Sequence, residues 1–221
     1  MPPSAGKHPG LRRLADKGRF KMVAIDRRTP LRGPIAAKRG TDEAPYEDVV
    51  AVKERLAERL SPKASAMPLD PIYAFPRVLS VMDVRPGLVL SPEHSRVEDT
   101  PGGKLSRPAL HDRMAGLVPK PWVLPSAGAG AEDFRRSLTC AYRAGSNGCL
   151  CGRAIRQTAF AEFPDLAAMD RALVAEAVPY LDEINGLTDR LAVPWTGHPS
   201  FARDAAVAFA GPSFPEDYPA C

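Results

Sequence analysis

"PWVLPSAGAGAEDFRRSLTCAYRAGSNGCLCGRAI" (residues 121–155) places two short apolar runs on either side of a helical pattern, and its reading decides the fold. The runs at 121–128 and 148–155 have the length of strands buried on both faces. Between them, 130–145 carries acids in its first turn and bases later, with Phe134, Leu138 and Tyr142 on one side and Gly145 at its stop. Strand, helix and strand in succession make a βα unit whose strands pair in parallel. Cys149 and Cys151 stand one residue apart in the second run, which leaves a metal site, a redox pair or a strand end as readings of them.

The same grammar repeats on the N-terminal side. "FKMVAID" (20–26), "ASAMPLDP" (64–71) and "GLVLSPE" (87–93) are three more short apolar runs, each ending at or near a carboxylate. "EDVVAVKERLAERL" (47–60) places apolar residues at 49, 52, 56 and 60, one face of a helix that Ser61-Pro62 stops. Residues 165–191 have helical spacing with an interruption expected at Pro179. Alternating strands and helices predict an α/β fold with about five parallel strands. In such sheets the chemistry gathers at the carboxyl ends of the strands. Asp26, Asp70, Glu93, Ser126 and Arg153 all fall there. The organisation expected is a basic tail at 1–14, a βα domain at 15–193 and a Pro-rich tail at 194–221.

Hydrophobic residues at 44% and charged residues at 25% suit an ordinary globular chain, and no apolar run nears the ~20 residues of a membrane span. The first residues have no apolar core of a secretory signal, and four irregularly spaced cysteines do not suggest a disulfide scaffold. A reducing, cytoplasmic setting is expected. The net charge of +4 hides an asymmetry: residues 1–40 hold eleven Lys/Arg against Asp16 and Asp26. Such a region can steer anions, phosphorylated metabolites among them. A nucleic-acid partner is poorly supported, because Phe20 is the only aromatic interleaved with the charge.

"FKMVAIDRR", "LSPKASAMPLDPIYAFP", "GLVLSPE", "PWVLPSAGAGAEDF" and "AGSNGCLCGRAI" resemble, in order, segments of the class I aldolases that include tagatose-bisphosphate aldolase and sulfofructose-phosphate aldolase. Those enzymes are (β/α)8 barrels. The resemblance implies that the first three runs are strands one to three and the last two are strands seven and eight. It implies supporting catalytic roles for Asp26 and Asp70. It implies a phosphate-binding set of Arg28, Ser126, Gly128, Gly152 and Arg153. Where the family has Gln after the first acid, this sequence has Arg27. The physical chemistry agrees with an anion at the last two loops, where backbone N–H groups, a helix N-terminus and a guanidinium converge. No metal and no cofactor are expected.

The cysteine question resolves on geometry. Two same-face positions two residues apart on a strand lie ~6.5–7 Å apart, too far for an easy disulfide. With no partner His or Cys nearby in sequence, Cys149 and Cys151 read as core thiols.

Only residues 108–120 fill the interval in which the family has strands four to six, and the strand-six Lys-Val-Glu motif that carries its Schiff-base lysine does not occur. A class I aldolase needs that amine, because the iminium is the electron sink when the C–C bond breaks. Lys21 lies on the wrong parity, Lys63 and Lys120 at the entry ends of strands, and Lys104 in a polar loop where its pKa would stay near 10.4. His8, His94, His111 and His198 have no metal-ligand spacing, and His94, beside Glu93, is an acid–base candidate. Five strands cannot close a barrel with the usual tilt and stagger. The expectation is therefore a shortened (β/α)8 TIM-barrel-like fold with an open sheet. Its function would be that of a sugar-phosphate aldolase lacking its amine. The alternative is a non-catalytic sugar-phosphate-binding or regulatory subunit that completes its sheet against a partner chain or a second copy.

Overall fold

A computed structural model describes residues 7–90 and 121–197. The third run beyond residue 90, with Glu93, His94, Lys104, His111 and Lys120, lies outside the described residues, as does His198.

Five strands form one all-parallel sheet: β1 (Phe20–Val23), β2 (Ala66–Leu69), β3 (Gly87–Leu90), β4 (Leu124–Pro125) and β5 (Gly148–Cys151), in the spatial order β3-β2-β1-β5-β4. In a (β/α)8 barrel this is the order of strands three, two, one, eight and seven, since the eighth strand of a closed ring neighbours the first. The sheet is an arc of such a barrel and does not close. Phe20 pairs with Gly148 and Val23 with Cys151. Gly148 has to be glycine, because a Cβ there would lie 2.0 Å from the Phe20 carbonyl oxygen.

Helices cover the strands. They are α1 (Lys7–Arg13), α2 (Thr29–Arg39), α3 (Tyr46–Leu60), α4 (Ala131–Arg143), α5 (Arg153–Phe160), α6 (Leu166–Ala172) and α7 (Val178–Leu191). α3 forms where the apolar spacing placed it, with Glu47 and Asp48 in its first turn. It buries Val49, Val52, Leu56 and Leu60 against Val23, Ile25, Met67 and Leu69 of the sheet region. α4 buries Phe134, Leu138 and Tyr142 as its pattern required. Cys149 and Cys151 are fully buried and unbonded, their sulfurs 3.7 Å apart and that of Cys149 3.7 Å from the Thr188 hydroxyl. They are core.

Three elements differ from expectation. Pro179 does not end the helical segment. A π turn at Leu173–Ala177 joins α6 to α7, and Pro179 falls in the first turn of α7. The proline has no N–H to give, and its ring would crowd a regular preceding turn; a wider turn just before it accommodates both facts. Residues 7–13, read as part of a basic tail, form α1. Beyond α7, Trp195 is buried, meets the His8 ring edge-to-face at 5.2 Å, and donates its backbone N–H to the Gly18 carbonyl at 2.8 Å. Among the described residues no helix is long and apolar enough to cross a membrane.

Candidate anion-binding site

The parallel sheet brings the ends of separate strands to one edge. β4 runs out at Ser126, β5 at Gly152, β1 toward Asp26 and β2 at Asp70. The ladder continues past β1, since Ala24 donates to the Cys151 carbonyl at 2.7 Å and Ile25 to the Pro68 carbonyl at 3.1 Å. Asp26, Arg27 and Arg28 therefore emerge between the ends of β2 and β5.

Ser126 is buried, and its backbone donates to the Leu150 carbonyl. The chain then reverses tightly. Ala129 donates to the Ser126 carbonyl at 2.8 Å, with Ala127 at φ 47° and Gly128 at φ 82° between them. Two successive positive φ values mark a turn of the I′ kind, which favours glycine. Gly128 has a second reason to be glycine: the Arg153 guanidinium lies against it. A Cβ at 128 would come within 2.6 Å of both Cζ and Nη2 of Arg153, and Arg153 Nη2 donates to the Ala127 carbonyl at 3.1 Å. Across the gap, the Ser126 hydroxyl lies 3.8 Å from the point a Cβ at Gly152 would occupy. Ser126, Gly128, Gly152 and Arg153 are thus one cluster, at the N-terminus of α5. The first turn of a helix leaves N–H groups without intrahelical partners and favours negative charge.

The positive charge is denser than the sequence reading supposed. Arg156, one turn into α5 from Arg153, is buried. Burial pushes its pKa down to about 10; the Arg153 charge pushes the same way, as does Arg27, while Asp26 opposes them. Its Nη1 is buried without a hydrogen-bond partner among the described residues. Sequence reasoning missed Arg156, although its spacing of three from Arg153 on a helix was the available signal.

Asp70, to which the resemblance gives a supporting role, follows the last residue of β2. It is fully buried. Its Oδ1 accepts from the backbone of Ile72 at 3.0 Å and Tyr73 at 2.8 Å, and its Oδ2 accepts from Lys53 Nζ. Lys53 also donates to the carbonyls of Ile25 at 2.7 Å and Arg27 at 3.3 Å. Burial holds its pKa below the ordinary lysine value against the opposing pull of Asp70. This lysine, absent from the sequence reading, sits at 53 among the apolar positions 49, 52, 56 and 60. The pair braces the edge on which Asp26 stands, from below.

Three other described lysines serve elsewhere, and one of them, Lys38, donates from Nζ to the Phe163 carbonyl at 2.9 Å. Lys21 pairs with Asp16 at 2.7 Å and Asp189 at 2.8 Å, and Lys63 with Asp182 at 2.9 Å. Both line a cavity of about 570 Å³ at the amino edge of the sheet, with Arg13, Arg85 and Asn185. In barrels that edge serves stability and the carboxyl edge serves chemistry. Among the described residues no group of three or more His, Cys, Asp or Glu converges as a metal site would.

No known family profile matches the chain. Over 113 residues it is 38% identical to the tagatose 1,6-diphosphate aldolase of Listeria monocytogenes and to that of Listeria innocua. The matched stretch is 51% of this chain and 32% of each relative. A tagatose 1,6-diphosphate aldolase of Streptococcus agalactiae is 36% identical over 88 residues, 39% of this chain and 26% of that one. The match thus spans about a third or less of the curated relatives' length. Over that part, the chain is similar to tagatose 1,6-diphosphate aldolases.

Proposed function

We propose that this chain binds the phosphate end of a sugar phosphate at the carboxyl edge of β4, β5 and β1, and that it is a binding protein rather than a working lyase. The observation that carries the first part is the Arg153 guanidinium resting on Gly128, beside the Ser126 hydroxyl and the start of α5. A guanidinium beside N-terminal helix amides is a favourable seat for a phosphate. The sheet order supports reading the chain as strands one to three, seven and eight of an aldolase-like barrel without strands four to six. The second part rests on the amines. Among the described residues, Lys53 is sealed in its pair with Asp70, Lys38 is held by the Phe163 carbonyl, and Lys21 and Lys63 serve the amino edge. A protonated or sealed amine cannot form the carbinolamine that precedes an iminium.

Calorimetric titration of the full chain with dihydroxyacetone phosphate tests the first part. Saturable binding that inorganic phosphate competes away is the expected result, with Gly128→Ala weakening it about tenfold or more as the new Cβ displaces the guanidinium. Absence of any heat or competition sinks the reading. Borohydride reduction in the presence of dihydroxyacetone phosphate tests the second, with a full-length aldolase as positive control. No mass adduct is expected; an adduct mapping to one lysine would make the chain a lyase with a relocated amine.

A further inference from the structure

We propose that Arg156 is a second guanidinium of this anion site and the residue that makes it selective for a dianionic phosphomonoester over a monoanion such as a sulfonate. The inference rests on the phosphate-site reading above and adds to it a residue and a charge requirement.

Arg156 is 5% exposed, and its Nη1 has no hydrogen-bond partner among the described residues. A buried cation with an unmet donor is costly, and proteins keep such groups where a ligand or a partner completes them. Among the described residues, charges of its own sign act on it from two sides. Arg153 lies one helical turn away on α5, and Arg27 at the end of β1 adds a third guanidinium within electrostatic reach. Lys53, on α3, also senses Arg156, but its own charge is spoken for by Asp70. Asp26 is the carboxylate that offsets part of the field at Arg156. Arg153 and Arg27 add positive charge around the buried Arg156 that Asp26 only partly offsets, and a phosphomonoester dianion neutralises such an excess more fully than a sulfonate does. Arg156 follows Arg153 by three residues on α5, the spacing that puts two side chains on one helix face, so both guanidiniums can serve one phosphoryl group.

The test uses the full chain and three variants, Arg153→Gln, Arg156→Met and Arg156→Lys, titrated with dihydroxyacetone phosphate and with 2-hydroxyethanesulfonate between pH 5 and 8. For the wild type, phosphate-ester affinity rises with pH as the second proton leaves near pH 6, and the sulfonate binds at least about tenfold more weakly. Arg156→Met should fold, with a melting temperature without ligand equal to or above that of the wild type, because a buried charge with an unmet donor has been replaced by an apolar chain. It should lose about tenfold or more in phosphate-ester affinity, lose the rise with pH, and bind the two ligands alike. Arg156→Lys retains charge without the fork and should keep the pH rise at reduced affinity. It also carries the test if the methionine variant does not fold.

Wild-type affinity and pH profile in Arg156→Met or Arg156→Lys, alongside lost binding in Arg153→Gln, would overturn the role of Arg156 while leaving the phosphate site standing. No binding of phosphate ester by the wild type would overturn the phosphate-site reading itself. A methionine variant that melts lower and binds as the wild type does would show Arg156 to be structural.

Discussion

At the scale of single residues, the Lys53–Asp70 pair is the strongest constraint in the carboxyl edge. Both side chains are fully buried, and every bond they make is to backbone or to each other. The net worth of such a pair is small, because desolvation cancels most of the attraction, but removing one partner leaves the other charge stranded. Lys53→Met is therefore expected to cost about 3–5 kcal/mol in chemical denaturation. The double variant Lys53→Met/Asp70→Asn should recover a large part of that loss. If the single change cost under about 1 kcal/mol, within the range of an exposed pair, the burial argument would be wrong. Two residues here were legible in the sequence in different degrees. Asp70 was found because it ends an apolar run. Lys53 was not, because a lysine between Val52 and Leu56 reads equally well as a side chain at the margin of the apolar face that reaches water, and only packing against β1 and β2 decides that it is sealed.

Between elements, the helices are tied by charge as well as by core. Arg59 on α3 donates from Nε and Nη2 to the two carboxylate oxygens of Asp170 on α6, at 2.6 and 2.7 Å. The Arg59 guanidinium holds the Asp170 carboxyl below its ordinary pKa, so the folded chain binds that proton less readily than the unfolded chain does. The contribution is present above the ordinary carboxylate value of 3.8 and is lost as pH falls through the lower folded value. Because both partners are partly exposed, Asp170→Asn should cost no more than about 1 kcal/mol at pH 7. The difference from wild type should shrink toward zero as the pH falls below 3.8, read by urea unfolding at several pH values. A difference that persists unchanged at pH 2 would assign the loss to packing instead. At this scale the sequence was informative wherever a period was clear: α3 and α4 formed over the expected residues. At Pro179 the sequence marked an interruption but not its form, since a π turn at Leu173–Ala177 accommodates the proline and keeps the chain helical.

For the whole molecule, the arc leaves two outer strands. Among the described residues, β3 pairs only with β2 and β4 only with β5, and Leu88 and Leu90 on β3 are 45% and 49% exposed. An unpaired, apolar edge is a template for another strand. Concentration-dependent association in sedimentation velocity is expected, and Leu88→Lys should reduce it without lowering thermal stability by more than about 1 kcal/mol. A chain that stays monomeric at all concentrations, with or without the lysine, would remove the edge as an association surface.

The set Ser126, Gly128, Gly152 and Arg153 came from the resemblance of two separate segments to a family; what the sequence determined by its own spacing is the alternation of short strands with helices of a clear apolar face, because each is written within a few consecutive residues. Local spacing carries that information directly. What only the tertiary structure decided is the meeting of segments far apart in the chain. β1 pairs with β5 across more than half the sequence, Lys53 reaches Asp70 through the core, and Arg156 comes to lie beside Asp26 and Arg27. Burial lowers the pKa of Arg156 and leaves its Nη1 without a hydrogen-bond partner among the described residues. Burial is a property of what packs around a residue, and no window of sequence around position 156 contains those neighbours.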